Sequence, residues 1–161
     1  MEATLFYILA AVAVIATGFA ITEKHTVHAI VYLVTSFFAL AVVFYLLGAP
    51  LVAVFEVIIY AGAIMVLFMF VIMMLDLGHP EKVALPGMRD WWPALLLGGI
   101  ILAAIIALLT AQQQAVIGKL PYVGIRDFSR VLFRKYGIAV EIISMQLLFA
   151  LVGALYLGRR R

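Results

Sequence analysis

Polar positions are sparse along this chain, and they fall in clusters that separate five long apolar runs. The runs cover residues 5–21, 27–47, 51–75, 93–111 and 138–157. Each is close to the roughly 20 residues that a helix needs to cross a bilayer. A helix satisfies its own backbone in lipid and an open strand does not, so the pattern predicts five transmembrane helices. Short breaks mark their ends. Thr22-Glu23-Lys24-His25 closes the first run, and Gly48-Ala49-Pro50 closes the second. A loop over residues 76–90 contains His79-Pro80 and Pro86-Gly87. Trp91 and Trp92 then stand where interface aromatics belong, and Pro93 suits a first helical turn.

The longest polar stretch, residues 112–137, carries a pattern of its own. Within 126–136, Phe128, Val131, Leu132 and Tyr136 fall broadly on one side of a helix, with Arg126, Arg130 and Arg134 on another. Phe133 and Lys135 break the pattern. It predicts a short helix at the membrane surface between the fourth and fifth spans. The expected fold is therefore an all-α integral membrane protein, one membrane domain over residues 1–161. No internal repeat is visible, so the inverted repeats of many transporters find no support.

Composition strengthens this reading and removes others. Of 161 residues, 68% are hydrophobic and 12% charged. Soluble domains carry roughly 25% charged residues, so a soluble catalytic domain does not fit. With no cysteine, thiolate-held iron–sulfur clusters and cysteine zinc sites are excluded. Redox chemistry on the chain would rest on His25, His28 and His79 alone. His25 and His28 have only Glu23 beside them, too few donors for a metal site. The net charge of +3 matches the run Arg159-Arg160-Arg161, and the remainder balances. Nucleic-acid binding has no support. Glu2 stands where a cleavable signal would be basic, so the first run is expected to remain as a span.

Two carboxylates interrupt the apolar runs, Glu56 in the third and Glu141 in the fifth. An ionised acid at mid-membrane costs roughly 2.5–3.5 kcal/mol on insertion scales. Both acids stand a few residues from span ends that alternation puts on one side, so they belong to the outer third. Two readings are open for them: a hydrated acid bonded to a neighbouring helix, or a proton carrier. Tyr60 is four residues from Glu56, on the same face of an α-helix, within reach for a hydrogen bond. Ala61-Gly62-Ala63 follows, a patch that permits close helix approach. Glycine also eases a π-bulge, a wide turn common at functional sites. Met65, Met69 and Met73 form a soft packing stripe. Ser144 and Gln146 are expected interhelical hydrogen-bonding groups.

At this point the residues resemble a known family. The run Glu56-Val57-Ile58-Ile59-Tyr60-Ala61-Gly62-Ala63-Ile64-Met65-Val66-Leu67-Phe68, continuing through Phe70-Val71-Ile72-Met73-Met74-Leu75, is similar to the third helix of complex I subunit J. The mitochondrial counterpart is NADH dehydrogenase subunit six. Val27-His28-Ala29 and Ala139-Val140-Glu141-Ile142-Ile143-Ser144-Met145 resemble the same family.

The resemblance implies a subunit of a proton-pumping NADH:quinone oxidoreductase in a bacterial inner membrane. It implies no cofactor on this chain, with FMN, iron–sulfur clusters and quinone on partner subunits. Those partners would include the A-, H-, K- and N-type membrane subunits and the surrounding lipid. The family carries a π-bulge at the positions matching Tyr60 to Val66, here Tyr60, Ala61, Gly62, Ala63 and Val66. Its straightening would rotate the inner half of the helix and move Val66, Phe68 and Met69 as a gate. Glu56, Glu141 and Tyr60 are then proton-path candidates. A purely structural subunit and a stand-alone small transporter or channel remain as alternatives.

Five spans put the termini on opposite sides. With the C-terminus inside, the inner side holds Lys24, Lys82, Arg89, Arg159, Arg160 and Arg161. The outer side holds Lys119, Arg126, Arg130, Arg134 and Lys135. Six against five favours an outside N-terminus by the positive-inside rule. A reporter enzyme fused to the C-terminus should be active on the inner side of the membrane. Activity on the outer side would reverse the assignment.

Overall fold

A computed structural model describes residues 2–75, 92–114 and 124–159. The loop with His79 and Trp91, and the stretch containing Lys119, lie outside these residues. All described elements are helical. α1 is Glu2–Thr22 and α2 is Thr26–Leu46. A continuous third helix follows in three segments: α3 (Pro50–Phe55), a π-helical segment (Glu56–Ile64) and α4 (Met65–Leu75). Then come α5 (Trp92–Gln114), α6 (Ile125–Lys135) and α7 (Gly137–Gly158). Five stretches are long and apolar enough to cross a membrane: Ala3–Thr22, Thr26–Leu46, Pro50–Leu75, Trp92–Thr110 and Gly137–Gly158. They agree with the five apolar runs to within two residues at each end. The shorter amphipathic helix is α6, one residue earlier at each end than the sequence pattern indicated.

The chain packs as two units, Met1–Tyr122 and Val123–Arg161. In the first, α2 is the hub and touches α1, all three segments of the third helix, and α5. The core lies between α1, α2 and α5. It is built from Leu9, Val12, Ala13 and Ala16 on α1, Tyr32, Ala39 and Val43 on α2, and Leu97, Ile101 and Ala104 on α5. Lipid tails are as apolar as these side chains, so shape and small residues drive such packing rather than escape from water. Ala13, Ala16 and Ala39 let α1 and α2 approach closely. A polar knot pins the same contact. The hydroxyls of Thr17 and Ser36 lie 2.9 Å apart. Ser36 also donates to the Ala13 carbonyl at 3.1 Å across the interface, and Thr17 donates to that carbonyl at 2.8 Å.

Side chains and backbone also close the two joints around α2. Between α1 and α2, one Glu23 carboxylate oxygen accepts from the backbone N–H groups of Lys24 at 3.1 Å and His25 at 3.2 Å. After α2, Gly48 adopts φ 78°, the left-handed conformation in which a Cβ is crowded. There the Gly48 N–H donates to the Tyr45 carbonyl and the Ala49 N–H to the Phe44 carbonyl, each at 3.1 Å. These two bonds form a Schellman cap on α2. Pro50 then opens α3 at a position where its missing N–H costs nothing. The second unit is a helical corner: Tyr136 alone separates α6 from α7.

The Schellman joint predicts an ordering of glycine variants. Gly48→Ala should destabilise the detergent-solubilised chain by about 1–2 kcal/mol, the left-handed penalty. Gly98→Ala, where an added Cβ meets nothing within 4 Å, should be neutral or slightly stabilising. Thermal unfolding followed by circular dichroism measures both. Equal stability of the two variants would refute the role assigned to Gly48.

Candidate functional site in the third helix

The third helix departs from α geometry in its middle. From Glu56 to Ile64 its backbone follows i→i+5 bonding. At the end of the segment the Met65 N–H points at two carbonyls, those of Gly62, three residues back, and Tyr60, five residues back, the second closing the last wide turn. Glycine has a specific place here. A Cβ on Gly62 would lie 3.2 Å from the Val57 carbonyl oxygen, five residues back. That oxygen is the acceptor a π turn offers to the Gly62 N–H. A side chain at 62 would therefore meet that carbonyl a few tenths of an ångström inside ordinary contact.

The extra residue has a packing consequence. Ala53, Ala61 and Met65 are the buried residues of the third helix, on the side that packs against α2. Twelve steps separate Ala53 from Met65, which in an unbroken α-helix turn the chain by a net of about 120°. One extra residue absorbed in a wide turn takes back about 100°. Ala53 and Met65 thereby share a seam that an α-helix would split.

The sequence-derived candidates distribute as follows. Tyr60, Ala61, Gly62 and Ala63 lie inside the π segment, and Val66 lies beyond it in α4. The segment starts at Glu56, four residues before the stretch taken from the family pattern. Glu56, its first residue, is half-buried. Tyr60 makes no hydrogen bond to Glu56 among the described contacts. Its ring instead lies 5.6 Å from that of Phe37 on α2, at an interplanar angle of 47°. The i, i+4 alignment expected for the pair belongs to α geometry, and both residues sit where that geometry is replaced. Val66, Phe68 and Met69 are exposed at 65%, 49% and 42%.

Glu141 belongs to the second unit. With Phe133, Gly137, Ile138, Val140 and Ser144 it lines a hollow at the α6–α7 corner. His25 and His28 stack edge to face with ring centroids 5.7 Å apart. Among the described residues, no three His, Cys, Asp or Glu side chains gather to hold a metal. Sequence reasoning overlooked the Thr17–Ser36 knot. The signal available was two hydroxyl residues inside otherwise apolar spans, each on the first or second helix.

Comparison with known proteins places the whole chain. A profile of the family described as NADH-ubiquinone/plastoquinone oxidoreductase chain 6 matches residues 16–157. The chain is 40% identical to NADH-quinone oxidoreductase subunit J of Escherichia coli strain K12, covering 96% of this chain and 85% of that one. It is 41% identical to the subunit J of Pseudomonas aeruginosa, covering 96% and 95%. Identity to the subunit J of Buchnera aphidicola from Schizaphis graminum is 38%, covering 97% of each chain. With five apolar helices, a π segment in the third, and this extent of similarity, the chain belongs to the NADH-ubiquinone/plastoquinone oxidoreductase chain 6 family.

Proposed function

We propose that the chain is a J-type membrane subunit of a proton-pumping NADH:quinone oxidoreductase in a bacterial inner membrane. Its third helix is a two-register switch that couples quinone reduction to proton translocation. The chain itself carries no catalytic group in this reading. FMN, iron–sulfur clusters and quinone sit on partner subunits, among them the A-, H-, K- and N-type membrane chains. The observation that carries the proposal is the π segment Glu56–Ile64 with Gly62 set against the Val57 carbonyl.

The physical case for a switch has three parts. First, both registers satisfy the backbone. Exchanging an i−5 for an i−4 acceptor leaves no N–H unpaired, and in hydrocarbon an unpaired one would cost several kcal/mol. Second, the packing cost is small. Straightening rotates α4 by about 100° and brings Ile64 and Val71 to the places now held by Met65 and Ile72. All four are apolar and similar in volume, and such exchanges usually cost under about 1.5 kcal/mol. Third, the rotation is large enough to matter. It sweeps Val66, Phe68 and Met69, which are bulky and exposed in this structure, through the same angle. Those side chains then admit or exclude a file of water. Glu56, at the upstream edge of the segment, and Glu141 on α7 are the acids available to such a path, and Tyr60 lies beside it.

Adding a Cβ at position 62 tests the switch. Gly62→Ala and Gly62→Val press a side chain against the Val57 carbonyl, the acceptor of the π turn, and are expected to shift the balance between the two registers. A bias of about 1 kcal/mol shifts a two-state population roughly fivefold. Membranes carrying the assembled enzyme with Gly62→Val should show quinone-reductase turnover or proton pumping reduced severalfold, with Gly62→Ala intermediate. Gly18→Ala, whose added Cβ meets nothing within 4 Å, is the control. Normal assembly with normal turnover and pumping in Gly62→Val would leave only a scaffold role. Transport by the isolated chain in vesicles would instead support an independent channel.

A further inference from the structure

α6 has two opposed faces. At about 100° per residue, Arg126, Arg130 and Arg134 fall within an arc of about 80°. Ile125, Phe128, Leu132 and the adjoining Tyr136 fall within a similar arc on the opposite side. Eleven residues carry four cations against one acid, Asp127. The three arginines are exposed, whereas Phe128 and Leu132 are partly covered. Among the described residues no salt bridge engages the three guanidiniums, so their donors are open to an external acceptor.

The joint to α7 sets the depth of this helix. α7 has 22 residues and is about 33 Å long at 1.5 Å per residue. That length matches a hydrocarbon core of about 30 Å. Its first residue, Gly137, therefore stands at the boundary between acyl chains and headgroups. Tyr136 is the single residue between the helices, and tyrosine favours that level. The Lys135 ammonium lies 5.7 Å from the centre of the Tyr136 ring, so a cation and an aromatic sit together at the joint. With its C-terminal end anchored there, α6 satisfies both faces by lying along the surface. Its apolar side then rests on acyl chains and its arginine row lies level with lipid phosphates.

We propose that α6 is an anionic-lipid-binding helix, in which Arg126, Arg130 and Arg134 together hold the phosphates of anionic phospholipid headgroups. Guanidinium presents a planar fork of donors that matches a phosphate in two-point contact. Spacings of four residues place the row along one line of the helix, about 6 Å apart per step. One row can thus meet successive headgroups in a leaflet.

The full chain, reconstituted in vesicles, tests this directly. Because it has no cysteine, single Cys variants accept one nitroxide each. Labels at Phe128→Cys and Leu132→Cys should collide with oxygen and be sheltered from a water-soluble nickel chelate. A label at Arg130→Cys should meet the chelate. In vesicles of mixed phosphatidylcholine and phosphatidylglycerol, spin-labelled phosphatidylglycerol should associate roughly fivefold or more above phosphatidylcholine, as expected for basic groups at an anionic surface. The triple change Arg126→Gln, Arg130→Gln, Arg134→Gln should bring the two lipids to near parity. The triple Arg→Lys variant, which keeps the charge but loses the two-point contact, should fall between the native chain and the glutamine variant and controls for folding. Equal association of both lipids with the native chain would overturn the proposal, as would unchanged selectivity in the glutamine variant. Shelter of positions 128 and 132 from both probes would overturn it too, because the apolar face would then be covered by protein. Displacement of phosphatidylglycerol by millimolar inorganic phosphate would show an anion site without lipid preference.

Discussion

A backbone amide left without a partner in hydrocarbon costs several kcal/mol, and that constraint shapes the described elements of this chain. It explains why the spans are helices. It also explains how the few departures from plain α geometry are arranged. Where α2 ends, a Schellman cap occupies two of its last carbonyls. Where α1 gives way to α2, a glutamate side chain occupies the open N–H groups. In the middle of the third helix the constraint takes a different form. There the ladder is redirected by one residue, with the Met65 N–H directed at two carbonyls. A wide turn is thus one of few irregularities a lipid-embedded helix can hold without orphaning a polar group.

The arrangement of the first unit separates a fixed part from a part with freedom. α1 and α2 meet through alanines and are tied by the Thr17–Ser36 knot. Interhelical hydrogen bonds of this type contribute about 0.6 kcal/mol on average, so their value lies in fixing the register of the two helices as much as in stability. α5 completes the same core with Leu97, Ile101 and Ala104. The third helix touches this body through all three of its segments against α2, with Ala53, Ala61 and Met65 buried and Tyr60 set against Phe37. Its other faces, including Val66, Phe68 and Met69, are open.

Much of this was legible in the chain. Span number and ends follow from long apolar runs, since length and hydropathy alone decide whether a helix can cross a bilayer. The amphipathy of α6 was visible in the spacing of its arginines. The wide turn was less accessible. Gly62 permits it, but the length of the segment and its start at Glu56 depend on how the helix must meet α2. Residue spacing cannot show that packing. The Glu56–Tyr60 pair illustrates the same limit. Four residues bring side chains together only where the backbone is α-helical, and here Tyr60 turned to Phe37. The knot was missed because a hydroxyl in a span usually bonds back to its own helix, as Thr17 does to the Ala13 carbonyl and Thr35 to the Val31 carbonyl, each at 2.8 Å, whereas Ser36 reaches across to Ala13. Only the crossing of α1 and α2 lets the two hydroxyls share the Ala13 carbonyl as acceptor.

The joint at Gly48 and Pro50 has a mechanical meaning. A left-handed residue, two capping hydrogen bonds and a fixed proline φ hold the start of α3 in one orientation against α2. A change of register between Glu56 and Ile64 would therefore turn Met65–Leu75 and leave Pro50–Phe55 in place. In the proposed switch the clamp would serve as stator and Met65–Leu75 as rotor, with a definite direction for the torque.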